Sequence, residues 1–93
     1  MTYDEAMLVK RTLETRLEGA SRRIKEIPGI GSGIMGLTPD HVRKTREYQD
    51  ASAEYEAAHA TLRKFNAAFL KAFKKEYRQD RDNRRLARTV AAT

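Results

Sequence analysis

Residues 37–88 read LTPDHVRKTREYQDASAEYEAAHATLRKFNAAFLKAFKKEYRQDRDNRRLAR, and this stretch decides the fold. A helix can start at Thr38 and Pro39, because a threonine hydroxyl accepts a hydrogen bond from an unpaired amide and proline lacks an N–H that would have no partner in the first turn. Beyond Pro39 the chain contains neither glycine nor proline, although weak helix formers cluster at residues 79–83, where we expect fraying or a break. We therefore predict one long helix over residues 39–88, followed by a loose C-terminus over residues 89–93.

Apolar side chains recur along this helix at intervals of three and four residues, which is the pattern of one buried stripe. The large residues repeat every seven positions and alternate with alanines, which lets a neighbouring helix approach closely. A second face consists of small residues, namely Ala53, Ala57, Ala60 and Ala67. The predicted oligomer or partner interface consists of Tyr48, Tyr55, Leu62, Phe65, Phe69, Phe73 and Tyr77.

The N-terminal part of the chain carries a second helical pattern. Thr2 and Glu5 match a capping box, in which each side chain bonds the backbone N–H of the other residue. An apolar stripe then runs from Ala6 to Ile27, again at intervals of three and four residues. These features predict a first helix over residues 3–26.

A glycine-rich loop over residues 27–38 separates the two helices and holds four of the five glycines. It differs from an ordinary polar linker, because Ile30, Ile34 and Met35 are apolar. These side chains either fold back to plug the end of the hairpin or form a mobile apolar tip that docks on a partner or a membrane surface. Residues 31–36 also spell G-x-G-x-x-G, but a dinucleotide site needs a preceding strand, and a helix is predicted there instead.

The two predicted helices differ in length, at roughly 36 Å and up to roughly 75 Å. If they run antiparallel, Leu17 lies near Tyr48 and Thr2 lies near Arg63. The part of the long helix beyond residue 63 then carries most of the aromatic side chains without cover. Because a fully buried phenylalanine contributes about 1.5–3 kcal/mol, we expect a second copy or another protein to cover them.

The predicted fold is therefore an all-α, antiparallel helical hairpin with a long second helix, forming a single domain over residues 1–93. We expect it to dimerise into a coiled-coil or four-helix-type bundle. The chain has no cysteine, which excludes disulfides and thiolate chemistry. It has no run of about 20 apolar residues and no secretion-signal layout. We therefore expect a cytoplasmic protein without a transmembrane segment.

The net charge of +6 is unevenly distributed. Residues 1–70 hold 11 basic and 10 acidic side chains, whereas residues 71–93 hold 8 and 3, a local charge of +5. Basic residues step along one helical face in this part of the chain, and the predicted nucleic-acid-binding set is Lys64, Lys71, Lys74, Arg78, Arg81, Arg85 and Arg88. Phosphate backbones are common targets of such a stripe. An ordinary solvated face, an acidic protein or an anionic membrane surface are the alternatives.

Catalytic and metal chemistry find little support in the sequence. Glu56 and His59 form an E-x-x-H pair of the kind that ligates di-iron centres in ferritin-like bundles, with Glu5 as a candidate helix-1 donor. A di-metal hairpin dimer is therefore a remote alternative, and a partly buried, hydrogen-bonded His59 is the simpler interpretation. No serine, histidine and aspartate set can be assembled. We predict a non-catalytic binding protein with no cofactor and no metal.

Two groups of residues, GLTPDHV at 36–42 with EYQ at 47–49, and FNAAF at 65–69 with KKE at 74–76, give the chain a resemblance. It resembles small uncharacterised helical proteins of bacterial plasmids and phages. The resemblance implies a mobile-element context, in which such proteins often bind and block host machinery, including defence nucleases. Two hypotheses follow: a nucleic-acid-associated accessory or regulatory protein, and a protein-binding inhibitor or adaptor.

Overall fold

The computed structural model describes residues 1–92, which form helices and contain no strand. Helix α1 (Tyr3–Lys25) runs antiparallel to the long helix α3 (Arg46–Ala92), and the short helix α2 (Asp40–Arg43) lies between them in sequence. A single turn of 3-10 helix (Ile34–Gly36) lies in the loop after α1. The prediction of an all-α chain in which a long helix packs on a shorter one is confirmed.

The capping box at the start of α1 forms as its sequence predicts. The Thr2 hydroxyl accepts a hydrogen bond from the Glu5 N–H at 3.2 Å, and the Glu5 carboxylate accepts one from the Thr2 N–H at 3.1 Å. The hydrogen bond from the Thr2 backbone lowers the pKa of Glu5, because it favours the charged carboxylate. The first helix is thus fixed at its N-terminus by two reciprocal bonds.

The predicted continuous helix over residues 39–88 is interrupted near its start. The Thr38 hydroxyl does not cap it, because that oxygen accepts from the Gly31 N–H at 3.1 Å instead. Thr45 caps α3: its hydroxyl accepts from the Tyr48 N–H at 3.3 Å and donates to the Val42 carbonyl at 2.6 Å. The long helix therefore begins at Arg46, after α2 has ended.

The late start of α3 shifts the register of the hairpin away from the predicted one. We expected Thr2 near Arg63, but Tyr3 lies against Phe69, with ring centroids 5.9 Å apart. Residues 39–45, which the prediction counted as part of the long helix, form α2 and the Thr45 cap instead. The N-terminus of α1 consequently reaches the aromatic part of α3.

Helix α3 bends at Phe73, where the backbone angles are φ −129° and ψ 24°. A straight helix of this length would measure roughly 70 Å, whereas the longest dimension of the molecule is 49 Å. Neither proline nor glycine causes the bend. It coincides with the point where the Tyr3 ring contacts Phe69 and Phe73, at centroid distances of 5.9 and 5.8 Å. The predicted weak point at residues 79–83 remains helical.

The bend and the register together correct the inference about the aromatic segment. Phe69 is only 3% exposed and is covered within one chain. Tyr77 packs edge-on against it, at a centroid distance of 5.5 Å and an interplanar angle of 83°. Uncovered aromatic side chains therefore no longer require a second copy of the chain.

The core of the hairpin is small. Its buried side chains are Ala6, Ala20, Ile27, Val42, Ala51, Ala58 and Phe69. Ile27 and Val42 close the loop end together with Ala51, and Ile24 and Tyr48 pack on that cluster. The radius of gyration is 18.2 Å, against about 12 Å for a compact chain of this length. The molecule is therefore extended and thin.

The C-terminal end of α3 differs from its prediction. We expected residues 89–93 to be loose, but α3 continues as far as Ala92, and Thr93 lies outside the described residues. None of the described helices is both long enough and apolar enough to cross a membrane.

Candidate functional site

The cationic face predicted from the sequence lies on the exposed side of α3. We use this name for Lys64, Lys71, Lys74, Arg78, Arg81, Arg85 and Arg88, and all seven side chains are exposed. The bend at Phe73 divides the face, leaving Lys64 and Lys71 before it and the other five residues after it. Residues 74–92, which we call the distal segment, therefore carry most of the face on a straight piece of helix.

Few acidic groups neutralise the cationic face. Arg81 makes a long contact of 4.0 Å from its Nε to Oδ1 of the adjacent Asp82. Within residues 1–92, the other six members of the face make no ion pair with a carboxylate. The charges of the face are therefore largely available to an anionic partner.

Contacts with α1 fix the orientation of the distal segment. The Tyr3 hydroxyl donates a hydrogen bond to Oδ2 of Asp80 at 3.0 Å, and the Lys10 ammonium lies 5.8 Å from the centre of the Tyr77 ring. Burial of the phenol, followed by the adjacent Asp80 carboxylate, raises the pKa of Tyr3 to about 12. Tyr77 and Asp80 thus face α1, while the cationic face points to solvent.

Sequence reasoning missed Arg84 because it lies one position away from the stepped pattern. Its guanidinium lies 3.8 Å from Oδ2 of Asp80, so that Asp80 is shared by Tyr3 and Arg84. Arg84 also lines an open groove of about 540 Å³ with Arg81, Ala87 and Arg88. The adjacent basic residues Arg84 and Arg85 could have indicated it in the sequence, although only Arg85 fits the steps of three and four residues.

The residues predicted as an oligomer or partner interface are buried or partly covered within one chain. Phe69 is buried, and the half-buried members are Tyr48, Tyr55, Leu62, Phe65, Phe73 and Tyr77. Tyr3, from the start of α1, supplies the covering ring that the sequence interpretation lacked. The members around Phe69 therefore pack within the hairpin, and the role of the set as an interface with a second copy stays a prediction.

The glycine-rich loop presents apolar side chains to solvent. Ile34 is 86% exposed and Met35 is 93% exposed, the highest values among the large apolar residues described. Ile30 is half-buried. The interpretation of Ile34 and Met35 as a plug is therefore wrong, because Ile27 and Val42 close the hairpin instead.

The E-x-x-H pair lies on the exposed surface of α3. Glu56 and His59 are both exposed, and His59 stacks on Tyr55 at a centroid distance of 6.1 Å. The expectation of a partly buried, hydrogen-bonded His59 is thus wrong. Among the residues that the structure describes, no group of three or more His, Asp and Glu side chains could hold a metal ion.

No protein-family model matches the sequence, and no curated protein or solved structure matches it either. Function is therefore inferred from the arrangement of the residues themselves. Two exposed features stand out, the cationic face near the C-terminus and the apolar tip of the loop.

Proposed function

We propose that the protein binds nucleic acid through the cationic face of α3 and acts as an accessory or regulatory protein without catalysis. The observation that carries this proposal is the exposure of all seven basic side chains on one helical face, six of them without an acidic partner within residues 1–92. Neutralising phosphates with such side chains releases counterions, which drives binding independently of sequence. The local charge of +5 over residues 71–93 supports the same interpretation.

Duplex is favoured over single-stranded nucleic acid. Binding to single strands combines basic grooves with aromatic rings on which bases stack. The aromatic residue of the distal segment is Tyr77, which faces α1 and packs against Phe69 at 5.5 Å. The distal segment is roughly 28 Å long, which spans most of one duplex turn of about 34 Å. We infer contacts to phosphates rather than to base edges.

Charge reversal tests this function against a matched control. Arg78→Glu with Arg85→Glu removes two exposed cations from the face, and Arg11→Glu with Arg23→Glu removes two exposed arginines of α1 that make no ion pair within residues 1–92. Both double variants change the net charge of +6 by the same amount. We expect the first pair to abolish retention of a 20-base-pair duplex in a mobility-shift assay, and the second pair to retain it.

Salt dependence gives an independent measure of the number of phosphate contacts. Each neutralised duplex phosphate contributes about 0.9 to the fall of log affinity with log salt. If five cations of the face bind phosphates, the slope is about −4.5, and the Arg78 and Arg85 reversals lower its magnitude by about 2. An equal loss of binding in both double variants would show that only net charge matters, and the proposed face would be wrong.

A homodimer is the assembly that we propose, on grounds of surface area. The chain exposes 7376 Å², against about 5,500 Å² for a compact monomer of its mass. A standard interface buries about 800 Å² per partner, which is less than the surface that this chain exposes beyond that of a compact monomer. Ala53, Ala60 and Ala67 recur at intervals of seven residues along α3, the first and last exposed and Ala60 half-buried. A second copy of α3 could approach closely along such small residues. Light scattering should show a dimer that Ala60→Glu dissociates and Ala72→Glu, at an exposed alanine of another face, does not.

A further inference from the structure

The apolar tip of the loop belongs to a long uncharged stretch. Residues 27–39 contain no charged side chain, in a chain of which 34% is charged. Ile34 and Met35 lie near the middle of this stretch, and the nearby Leu37 is 68% exposed. These three large apolar side chains are in contact with water within one chain. A contiguous group of exposed apolar side chains is typical of an interaction site.

The loop holds these side chains outward with its own hydrogen bonds. The Gly33 N–H donates to the Leu37 carbonyl at 2.8 Å, and the Gly31 N–H donates to the Thr38 hydroxyl at 3.1 Å. A side chain at position 33 would meet the Leu37 carbonyl oxygen at 2.6 Å, so glycine is required there. Met35 adopts a left-handed conformation with φ 59°, which is unfavourable for a residue with a side chain. The tip is therefore presented by a closed, bonded loop rather than by a loose linker.

Basic side chains flank the loop on both sides in the sequence. The flanking segments 22–26 and 40–46 together hold six basic residues and two acidic residues, a local charge of +4. The basic residues are Arg22, Arg23, Lys25, Arg43, Lys44 and Arg46, and all of them are exposed. We call this set the cationic collar. Arg43 contacts Asp40 and Arg46 contacts Asp50, whereas Arg22, Arg23, Lys25 and Lys44 make no ion pair within residues 1–92. An uncharged apolar loop is thus flanked by segments with an excess of positive charge.

We propose that the loop tip docks on anionic membrane surfaces, with Ile34, Met35 and Leu37 entering the boundary between headgroups and acyl chains. An exposed apolar loop flanked by exposed basic residues suits a bilayer surface, because apolar groups reach about 5–10 Å into that boundary while basic groups bind anionic headgroups. A pocket in a protein would accept the tip but would have no need of the collar. The charge pattern therefore favours lipid as the occupant.

The docking tip and the cationic face lie at opposite ends of α1. The loop follows the C-terminus of α1, whereas Tyr3 at its N-terminus binds Asp80 of the distal segment. The length of α1 separates the two ends by roughly 34 Å. Insertion of the tip is therefore independent of the nucleic-acid face, and the two sites can be tested separately.

A single tryptophan reports insertion directly, because the chain contains no other tryptophan. Ile34→Trp should shift its emission to shorter wavelength on vesicles of phosphatidylcholine with 30% phosphatidylserine, and brominated phosphatidylcholine should quench it. The shift should persist when Arg78 and Arg85 are changed to glutamate. Co-sedimentation with the same vesicles should weaken about tenfold for Ile34→Ser with Met35→Ser, because two apolar side chains no longer partition.

One control variant and one charge-reversal variant accompany this experiment. Leu8→Ser removes an exposed apolar side chain of α1, which is 65% exposed, and should change sedimentation less than twofold. Lys25→Glu with Lys44→Glu should weaken binding to phosphatidylserine vesicles, and pure phosphatidylcholine should bind less well than the mixture. Circular dichroism confirms that each variant keeps its helices.

Two results would overturn the proposal. In the first, the emission of the Ile34→Trp variant is neither shifted nor quenched, and the serine substitutions leave sedimentation unchanged. The distal segment, and not the loop tip, would then bind the vesicles. The second is an absence of binding to the phosphatidylserine vesicles.

Discussion

Tyr3 is the residue whose replacement best tests how the distal segment is held. Its ring contacts Phe69 and Phe73 at centroid distances of 5.9 and 5.8 Å, and its hydroxyl donates to Asp80 at 3.0 Å. Tyr3→Phe removes only the hydrogen bond, whereas Tyr3→Ala also removes the ring. The pair of variants therefore separates the polar contribution to stability from the apolar one.

The expected losses follow from these contacts. A hydrogen bond to a carboxylate contributes about 1.5–3 kcal/mol when buried, but both side chains here are half-exposed, which lowers the expected cost of Tyr3→Phe to about 1 kcal/mol. Tyr3→Ala also removes two aromatic contacts and the burial of the ring, so its total cost should be about 3 kcal/mol. Against the marginal stability of a small domain, the second loss is large.

Urea unfolding followed by circular dichroism measures both values, with Leu8→Ala as a control at an exposed α1 position where the cost should stay below about 0.5 kcal/mol. Hydrogen exchange locates the effect, because amides of residues 74–92 should lose protection in Tyr3→Ala before those of residues 46–62. If Tyr3→Ala costs no more than the Leu8 control and residues 74–92 keep their protection, α1 does not hold the distal segment. The packing described here would then be wrong.

Three further predictions concern individual groups. The pKa of Tyr3 is about 12 against a usual 10.0, so the folded state binds the phenol proton more tightly than the unfolded state does. The stability that this proton contributes is complete below pH 10 and is lost as the pH rises through 12. In alkaline unfolding, the stability difference between wild type and Tyr3→Phe should therefore shrink over that range. Asn66 has a buried side-chain oxygen without a hydrogen-bond partner among the described residues. Asn66→Leu should therefore raise the free energy of unfolding by about 1 kcal/mol. An unchanged or lower value would show that this oxygen accepts a hydrogen bond in solution. Thr2→Ala removes the hydroxyl of the capping box and should cost about 1 kcal/mol in the same unfolding assay, with the Glu5 pKa rising toward its usual value in an NMR titration.

Local patterns in the sequence were sufficient to predict that there are two main helices, a short one followed by a long one. The capping box at Thr2 and Glu5 forms, and the apolar stripe of α1 and α3 is the one that packs. Glycine-rich composition correctly placed the break after α1. These features depend on neighbouring residues along the chain, which is why periodicity and capping rules predict them.

The register of the hairpin could not be predicted, because it depends on one competition between two threonines. Thr38 precedes a proline and suits a helix start, yet its hydroxyl bonds the loop at Gly31, and Thr45 caps α3 instead. The predicted helix start was therefore displaced to Arg46. Ile24 still packs beside Val42 as expected, but the N-terminus of α1 now meets Phe69 and Asp80 instead of Arg63. The bend at Phe73 lies even further from local rules, since it coincides with tertiary contacts to Tyr3.

The same displacement also sets the charge of the candidate nucleic-acid interface. With the predicted register, the N-terminus of α1 would end near residue 63, and Asp80 would have no hydrogen bond from α1. In the structure the shifted α1 brings the Tyr3 hydroxyl to Asp80, and Arg84 shares that carboxylate at 3.8 Å. One of the three acidic residues in this part of the chain is thereby turned toward α1 and engaged. The packing that covers Phe69 without a second copy thus also binds the Asp80 carboxylate on the α1 side of the distal segment, while the basic residues of the other side stay exposed to an anionic partner.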